Sequence, residues 1–459
     1  MRSHRTEFAT IARLAAPVIA TQLATMMLGV VDNMMLGRLS VEALNASALG
    51  RLWVSGTWLL GMGLVFGIDP FVSQAHGAGD GKAAGVALQR GILVALLASL
   101  PIAISWCFTE ELLVSWGQDP ALSAEAERYA LVQIPGLPFL LAFQALRQYL
   151  QGRGIVRPAM WVAIFANGFN AFWNWLLIYG HAGFGPFAPI PALGVVGAGI
   201  ATGLTQVVMF ALLLWIVVRW RLGEGAWTPW SRESFAARGL GRVIAVGTPI
   251  ALQIGLEMWA FQIATLWAGE IGSNELAAHT IVLNLASLSF MIPLGISIGT
   301  ATRVGNLIGA GEPRAAQHAA HVAFAMGAGA MAICALVFLV GRHALPLVYL
   351  EGNADSAAVL ALCAQVLPIA AAFQMFDGLQ VVGGGVLRGM GRTTPGAVIN
   401  LLGYYALALP FASWLAFRMG HGLAGLWWGL SLGLATIALA LVVWIVLRGP
   451  SRVRRRLES

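Results

Sequence analysis

Twelve long apolar runs divide this chain, and they constrain its fold more than any motif does. An α-helix needs about 20 consecutive apolar residues to cross a bilayer. Runs of that length fall at about 14–36, 47–74, 85–108, 129–151, 159–180 and 192–218. Six more fall at about 242–269, 277–302, 317–341, 358–387, 394–417 and 422–447. Several hold an internal proline, as at Pro17, Pro138, Pro249, Pro293 and Pro368. Packed membrane helices tolerate this because neighbours satisfy the freed backbone groups. Only 10% of the 459 residues are charged, against about 25% in a soluble domain. The runs predict an all-α polytopic membrane protein of twelve transmembrane helices.

Charge gives the membrane a side. The net charge is +7, from 27 basic and 20 acidic residues. No basic–aromatic stripe or nucleic-acid module accompanies it, so no nucleic-acid partner is expected. With both termini in the cytoplasm, 22 of the 27 basic residues fall on the cytoplasmic side. They include Arg2, Arg147 and the tail residues Arg454, Arg455 and Arg456. Arg38, Arg51, Arg128, Arg342 and Arg418 fall on the other side. Basic loops resist translocation, so this asymmetry sets the orientation. Ten acids fall outside, Glu351 and Asp355 among them, and six in the cytoplasm, Glu458 among these. The stretch 1–13 is polar and basic and runs into a long apolar segment, the pattern of a signal anchor rather than a cleaved leader. The expected location is the bacterial cytoplasmic (inner) membrane.

The chain is internally duplicated. Shifted by 232 residues, Pro17 falls on Pro249, and Gly63 and Gly67 fall on Gly295 and Gly299. Gly77-Ala78-Gly79-Asp80 falls on Gly309-Ala310-Gly311-Glu312. Later the offset is 237, and Gly152, Gly154 and Pro158 meet Gly389, Gly391 and Pro395. Each repeat holds six helices. Six is even, so both repeats share one orientation, which is a transporter architecture with substrate held between lobes. The expected organisation is an N-terminal lobe over 1–218, a cytoplasmic connector over 219–241, a C-terminal lobe over 242–447 and a basic tail over 448–459. A channel usually closes a ring of subunits; a two-lobed single chain favours a carrier, expected to act as a monomer.

Four acids fall inside the spans: Asp32, Asp69, Glu257 and Asp377. A mid-helix charge costs about 2.5–3.5 kcal/mol on insertion scales, so it marks a functional candidate. Glu257 lies deep in the seventh span, with Gln253 at i−4 on the same face. Asp377 lies mid-way along the tenth, with Gln374 and Gln380 three residues to either side. Such a carboxyl can hold a proton reversibly or, with amide oxygens nearby, Na⁺. Asp32 stands nearer the outer end of the first span. Asn170 and Asn174 share a face of the fifth, where amides can also merely bridge helices. Asp69 precedes Pro70 and reads as interfacial. No Lys or Arg is expected mid-span.

The catalytic patterns fail. Gly295-Ile296-Ser297-Ile298-Gly299 fits G-x-S-x-G but lies in an apolar helix, where a nucleophile elbow needs a strand. Gly79-Asp80-Gly81-Lys82 departs from a P-loop, with His76 at the first glycine and Ala83 in place of Ser or Thr. No catalytic residue, no ATP, no cofactor and no resident metal are expected, so the energy should come from an ion gradient. Cys107, Cys334 and Cys363 lie far apart and read as small buried hydrophobes.

Several ordered stretches resemble one family. They are Val31-Asp32-Asn33-Met34-Met35-Leu36-Gly37; Ala278-His279 through Asn284, Ser287 and Phe290-Met291-Ile292-Pro293; Arg303-Val304-Gly305; and Asp377-Gly378-Leu379-Gln380 with Gly385-Val386-Leu387-Arg388-Gly389. Together they resemble multidrug and toxic compound extrusion (MATE) transporters on the NorM-like bacterial branch. The resemblance implies a V of two six-helix lobes that exports organic cations in exchange for Na⁺ or H⁺. It implies cation sites at Glu257 and Asp377 and at Asp32, with Asn170, Asn174 and Thr202 near Asp32, and Gln253 and Asn284 as supporting polar groups. The DinF-like branch carries an Asp where this chain has Asn174, so the resemblance implies the NorM-like pattern. The alternative is a lipid-precursor flippase of similar design, which should carry cavity cations for a diphosphate.

Overall fold

The computed structural model describes residues 4–180, 191–350 and 356–453. Arg2, Glu351, Asp355, Arg454, Arg455, Arg456 and Glu458, which enter the sidedness count, lie outside the described residues.

The described residues form helices joined by short turns. In chain order they are α1 (His4–Leu39), α2 (Val41–Val65), α3 (Asp69–Gly77), α4 (Gly81–Trp106), α5 (Thr109–Ser115), α6 (Pro120–Leu131), α7 (Leu137–Gly152), α8 (Arg157–Tyr179) and α9 (Gly194–Arg219). Then follow α10 (Ala237–Ile271), α11 (Ser273–Gly309), α12 (Pro313–Val340), α13 (Leu347–Leu350), α14 (Ser356–Met390), α15 (Thr394–Leu401), α16 (Leu409–Ser413) and α17 (Gly422–Arg448). Among the described residues, eleven helical stretches are long and apolar enough to span a membrane. The fifth predicted span is α8, 23 residues long; Asn167, Asn170 and Asn174 lower its hydropathy below that of the rest. Twelve crossings result once it is included.

Outward faces match a lipid environment. Leu96, Leu100 and Ile104 on α4 and Ile333, Leu336, Val337 and Val340 on α12 are exposed at helical spacing. A soluble protein rarely leaves stripes of that length uncovered.

The fold divides into two compact units. One comprises Met1–Ile19 with Leu252–Ser459, the other Ala20–Ala251. The division therefore falls inside α1 and α10 rather than at the ends of lobes drawn by chain order. In the first unit α14 packs against α11, α12 and α17, around a core with Cys363, Val382, Leu430 and Leu434. In the second, α2 packs on α4 and α6, and α8 on α9, with Leu36, Ala46, Tyr129, Ile178 and Ala198 buried together.

Small residues explain the division and restate the repeat. A Cβ at Gly63 on α2 would overlap Ala251 on α10, and one at Gly67 would strike Val243 and Gly247. In the other unit a Cβ at Gly295 on α11 would overlap Ile19 on α1, and one at Gly299 would crowd Ala15 and Ile11. Every residue in the first set sits 232 positions from its counterpart in the second. Glycine lets two backbones approach closely, which is how membrane helices associate. The half of α1 before Ala20 thus packs with α11, and the half of α10 before Leu252 packs with α2.

The turn Gly79-Asp80-Gly81 has a structural use. Asp80 caps α4, accepting from the Ala83 amide at 2.9 Å, and Gly79 takes a φ of 72°. The repeat counterpart Gly311 takes a φ of 77° before α12. Cys363 is buried, but Cys107 is exposed, contrary to its reading as a buried hydrophobe. It lies at the C-terminal end of α4, past the packed part of the helix.

Candidate functional site

The first cluster lies within Ala20–Ala251. Asp32 on α1 is only 4% exposed. Asn174 on α8 donates from Nδ2 to Asp32 Oδ1 at 2.5 Å and to Asn170 Oδ1 at 3.0 Å. The Thr202 hydroxyl on α9 donates to Asp32 Oδ2 at 3.3 Å. Asp32, Asn170, Asn174 and Thr202 are thus brought together, on helices that the sequence separates by up to 170 positions. The i, i+4 spacing on α8 puts both amides on one face, and this face looks at α1.

A fifth residue completes the cluster. Arg51 on α2 stands with Nη2 3.8 Å from Asp32 Oδ2, while its Nη1 donates to the Gly29 carbonyl at 2.9 Å. Sequence reasoning placed Arg51 outside the membrane. Its position four residues inside the predicted 47–74 span was the signal to the contrary. Unit charges about 4 Å apart attract by about 4 kcal/mol at an effective dielectric of 20, so the Asp32 charge is met from within. Arg147 on α7 corrects the expectation of no mid-span cations in the same way. It is 2% exposed, donates to Gln22 Oε1 at 3.0 Å, and lies in electrostatic reach of Asp69.

The second cluster lies within the other unit. Glu257 on α10 is half-buried, and Asp377 on α14 is 5% exposed. Gln380 donates from Nε2 to Glu257 Oε2 at 3.2 Å, and Asp377 lies in the field of Glu257. Gln253 lies one turn before Glu257, packed between Gly384 and Gly396, where added Cβ atoms would come within 3.3 and 3.0 Å of its amide. Asn284 is exposed on α11 and stands outside this buried set.

Several buried polar atoms here have no hydrogen-bond partner. They are both amide atoms of Gln374, Oε1 of Gln380 and both amide atoms of Asn400, while the Tyr404 hydroxyl faces the Glu257 carboxyl without full hydrogen-bond geometry. Buried polar groups are nearly always paired, and an orphan costs about 1–3 kcal/mol. Asn400 and Tyr404 escaped sequence reasoning. The i, i+4 pair of polar residues in an apolar span was the signal. Local geometry places them: α15 gives way to a π-helical stretch over Leu402–Ala408, a feature frequent at functional sites. The Tyr404 hydroxyl feels both Glu257 and Asp377, and the neighbouring Tyr405 donates to the Leu256 carbonyl at 3.2 Å. Among the described residues no Lys or Arg forms an ion pair with Glu257 or Asp377. Glu257, Gln380 and Tyr404 lie together, with Asp377 in the field of Glu257; carboxyl and neutral oxygens of this kind suit a monovalent cation or a proton.

The chain is similar to known proteins along most of its length. The MatE family profile matches residues 17–176 and 249–414, segments that begin 232 residues apart, the offset of the repeat. "Multidrug resistance protein NorM" of Burkholderia vietnamiensis is 34% identical over 438 residues, 94% of this chain and 92% of that one. "Probable multidrug resistance protein NorM" of Bradyrhizobium diazoefficiens is 35% identical, over 95% and 92%. "Multidrug and toxin extrusion protein 2" of Mus musculus is 34% identical, over 99% of this chain and 77% of that one. The crystal structure of the eukaryotic MATE transporter AtDTX14 superposes with a TM-score of 0.87 at 25% identity, over 98% of this chain and 97% of that one. A MOP superfamily transporter from Pyrococcus furiosus shares the fold, with a TM-score of 0.84 at 20% identity over 96% of each chain.

Proposed function

The chain belongs to the multidrug and toxic compound extrusion family and is a NorM-like multidrug efflux transporter; from that premise we propose an antiport cycle with Glu257 and Asp377 as the coupling site. Organic cations leave the cell in exchange for Na⁺ or H⁺. The observation that carries the assignment is the contrast between the clusters. Asp32 has Arg51 as an internal counter-charge. Glu257 has only the neutral groups of Gln380 and Tyr404 against it, and Asp377 lies in its field. Two acids without a basic partner favour taking up a proton or a cation.

In this cycle the lobes of chain order, 1–218 and 242–447, rock about the pseudo-twofold relation of the repeat. The connector 219–241 joins them on the cytoplasmic side, and the basic tail 448–459 stays there with both termini. From the outside an ion enters beside Glu257 and Asp377, and affinity for the drug falls. After rocking, the ion leaves inward, and the freed carboxylates attract the next cationic drug. One charge moving inward contributes about 2.3 kcal/mol per 100 mV, so no ATP is needed. The protein acts as a monomer in the bacterial inner membrane. A lipid-precursor flippase would need cations free to meet a diphosphate, and Arg51 and Arg147 each stand beside an acid.

Proteoliposomes test the assignment. Under an imposed Na⁺ or H⁺ gradient, Glu257→Gln and Asp377→Asn vesicles lose gradient-driven ethidium transport while the wild type retains it. Transport at the wild-type rate in both variants would overturn the coupling site.

A further inference from the structure

We propose that Arg51 is a tethered counter-ion that competes with free cations for Asp32 and thereby sets the cation selectivity of the N-terminal cluster. The geometry is that of a movable group. One guanidinium nitrogen, Nη1, is anchored on the Gly29 carbonyl at 2.9 Å. The other, Nη2, stands 3.8 Å from Asp32 Oδ2, close enough for an ion pair and too long for a hydrogen bond. That nitrogen is buried without a full hydrogen bond, and the guanidinium's other polar neighbour is the buried Tyr129 hydroxyl. Meanwhile the two carboxylate oxygens already accept from Asn174 and Thr202. The guanidinium therefore supplies charge to Asp32 without being locked to it.

The seat for this group is built by absence. A Cβ at Gly29 would come within 3.2 Å of Arg51 Nη1, so glycine leaves the space that the guanidinium fills. Arg51 itself remains 24% exposed, which leaves it a path away from the acid. While it is near, a monovalent cation arriving at Asp32 meets a carboxylate already neutralised, and like charge repels it. When the guanidinium swings aside on its Gly29 anchor, Asp32 becomes available to a cation of matching size. Arg is suited to this part because it stays charged in any environment the protein offers. The repeat does not carry the device over: the positions 232 residues on from Asp32 and Arg51 are Ala264 and Leu283.

This inference rests on the family's export of cations for its transport arm only; its binding arm stands alone. The experiment uses full-length protein with Glu257→Gln and Asp377→Asn, so that the C-terminal cluster is silent. Equilibrium binding of ²²Na⁺ and of ethidium is measured with Arg51 intact, Arg51→Gln, Arg51→Lys, and Arg51→Gln combined with Asp32→Asn. Arg51→Gln should tighten binding of at least one of the two cations by about tenfold, or create it where none was measurable. Arg51→Lys should restore the weak binding, and Asp32→Asn should erase the gain. Should Arg51→Gln fail to fold, Gly29→Ala displaces the same guanidinium and should tighten binding in the same direction. No change for either cation, or a gain that survives Asp32→Asn, overturns the proposal. In vesicles with the C-terminal acids intact, Arg51→Gln should lower the ethidium KM with little rise in kcat. A wild type that moves no ethidium would count against the proposed function, and the ²²Na⁺ result would still decide the role of Arg51.

Discussion

Arg303 donates to both carboxylate oxygens of Glu7, through Nε at 2.8 Å and Nη2 at 2.6 Å. The bidentate pair ties the first turns of α1 to the C-terminal part of α11, within one compact unit. Glu7 is 1% exposed and Arg303 12%, so Arg303 would be a largely desolvated charge without Glu7. Removing one partner of such a pair costs about 3 kcal/mol. Glu7→Ala should therefore lower the melting temperature of the detergent-purified protein by several degrees. A melting curve unchanged within error would show that the pair contributes nothing to stability.

The glycine contacts that divide α1 and α10 predict a symmetric outcome. A methyl group at Gly63 overlaps Ala251, and one at Gly295 overlaps Ile19. Overpacking of this kind costs about 1–3 kcal/mol, so Gly63→Ala and Gly295→Ala should destabilise the protein by comparable amounts. Gly329 on α12 has open space around its missing side chain. Gly329→Ala should instead be neutral or gain up to about 1 kcal/mol through helix propensity. Thermal stability of the three variants in one detergent checks the ranking. Gly329→Ala falling below the other two would contradict it.

These contacts also show what was legible in the sequence. Twelve spans could be read because the bilayer imposes a minimum apolar length on each crossing. The duplication could be read because close helix contacts admit little but glycine, which leaves a periodic trace at Gly63, Gly67, Gly295 and Gly299. Asp32 and Glu257 stood out because an acid in an apolar run is expensive. Arg51 did not, since a count that assigns every arginine to a loop cannot see one that pairs inside. Asn400 and Tyr404 were hidden for a related reason. Neither carries a charge, and only the packing of α15 and the π-helical stretch that follows it, in which Tyr404 lies, shows that both are buried. Chain order likewise drew lobes at residues 218 and 242. The division within α1 and α10 depends on which neighbour each half of a helix touches, and that information lies in three dimensions.

Tyr404→Phe separates structure from function at the second cluster. The hydroxyl is buried and meets the Glu257 carboxyl only weakly, so deleting it should leave stability unchanged or raise it by about 1 kcal/mol. If it contributes to a bound cation, the same deletion weakens coupling-ion affinity by about tenfold, the worth of one hydrogen bond to a charged group. The expected pattern is an unchanged or higher melting temperature with a higher ion concentration for half-maximal ethidium transport. A lower melting temperature with unaltered ion dependence would make Tyr404 a packing residue.

The connector predicts protection from proteolysis. It is docked rather than slack: Gln89, fully buried on α4, donates to the Thr228 carbonyl at 2.6 Å and accepts from Ser234. Tyr149 on α7 donates to the Ala226 carbonyl at 2.8 Å, and Arg90 donates to the Glu233 carbonyl at 2.9 Å. Gly81 and Gly85 leave room for the strand of chain around Gly225 and Ala226 to lie against α4. Exposed loops are cut when they open locally, and such openings are rare where backbone groups are held. Arg219, Arg221, Arg232 and Arg238 offer trypsin four sites in this segment. In the wild type they should be cut slowly despite being exposed. Gln89→Ala removes both of its bonds and leaves the Thr228 carbonyl unpaired, so cleavage at Arg232 and Arg238 should accelerate by about tenfold, corresponding to about 1.4 kcal/mol less protection. Mapping the fragments by mass spectrometry distinguishes this from global unfolding, which would open sites in every loop at once; equal cleavage rates in Gln89→Ala and the wild type would mean the connector is held by its other contacts alone.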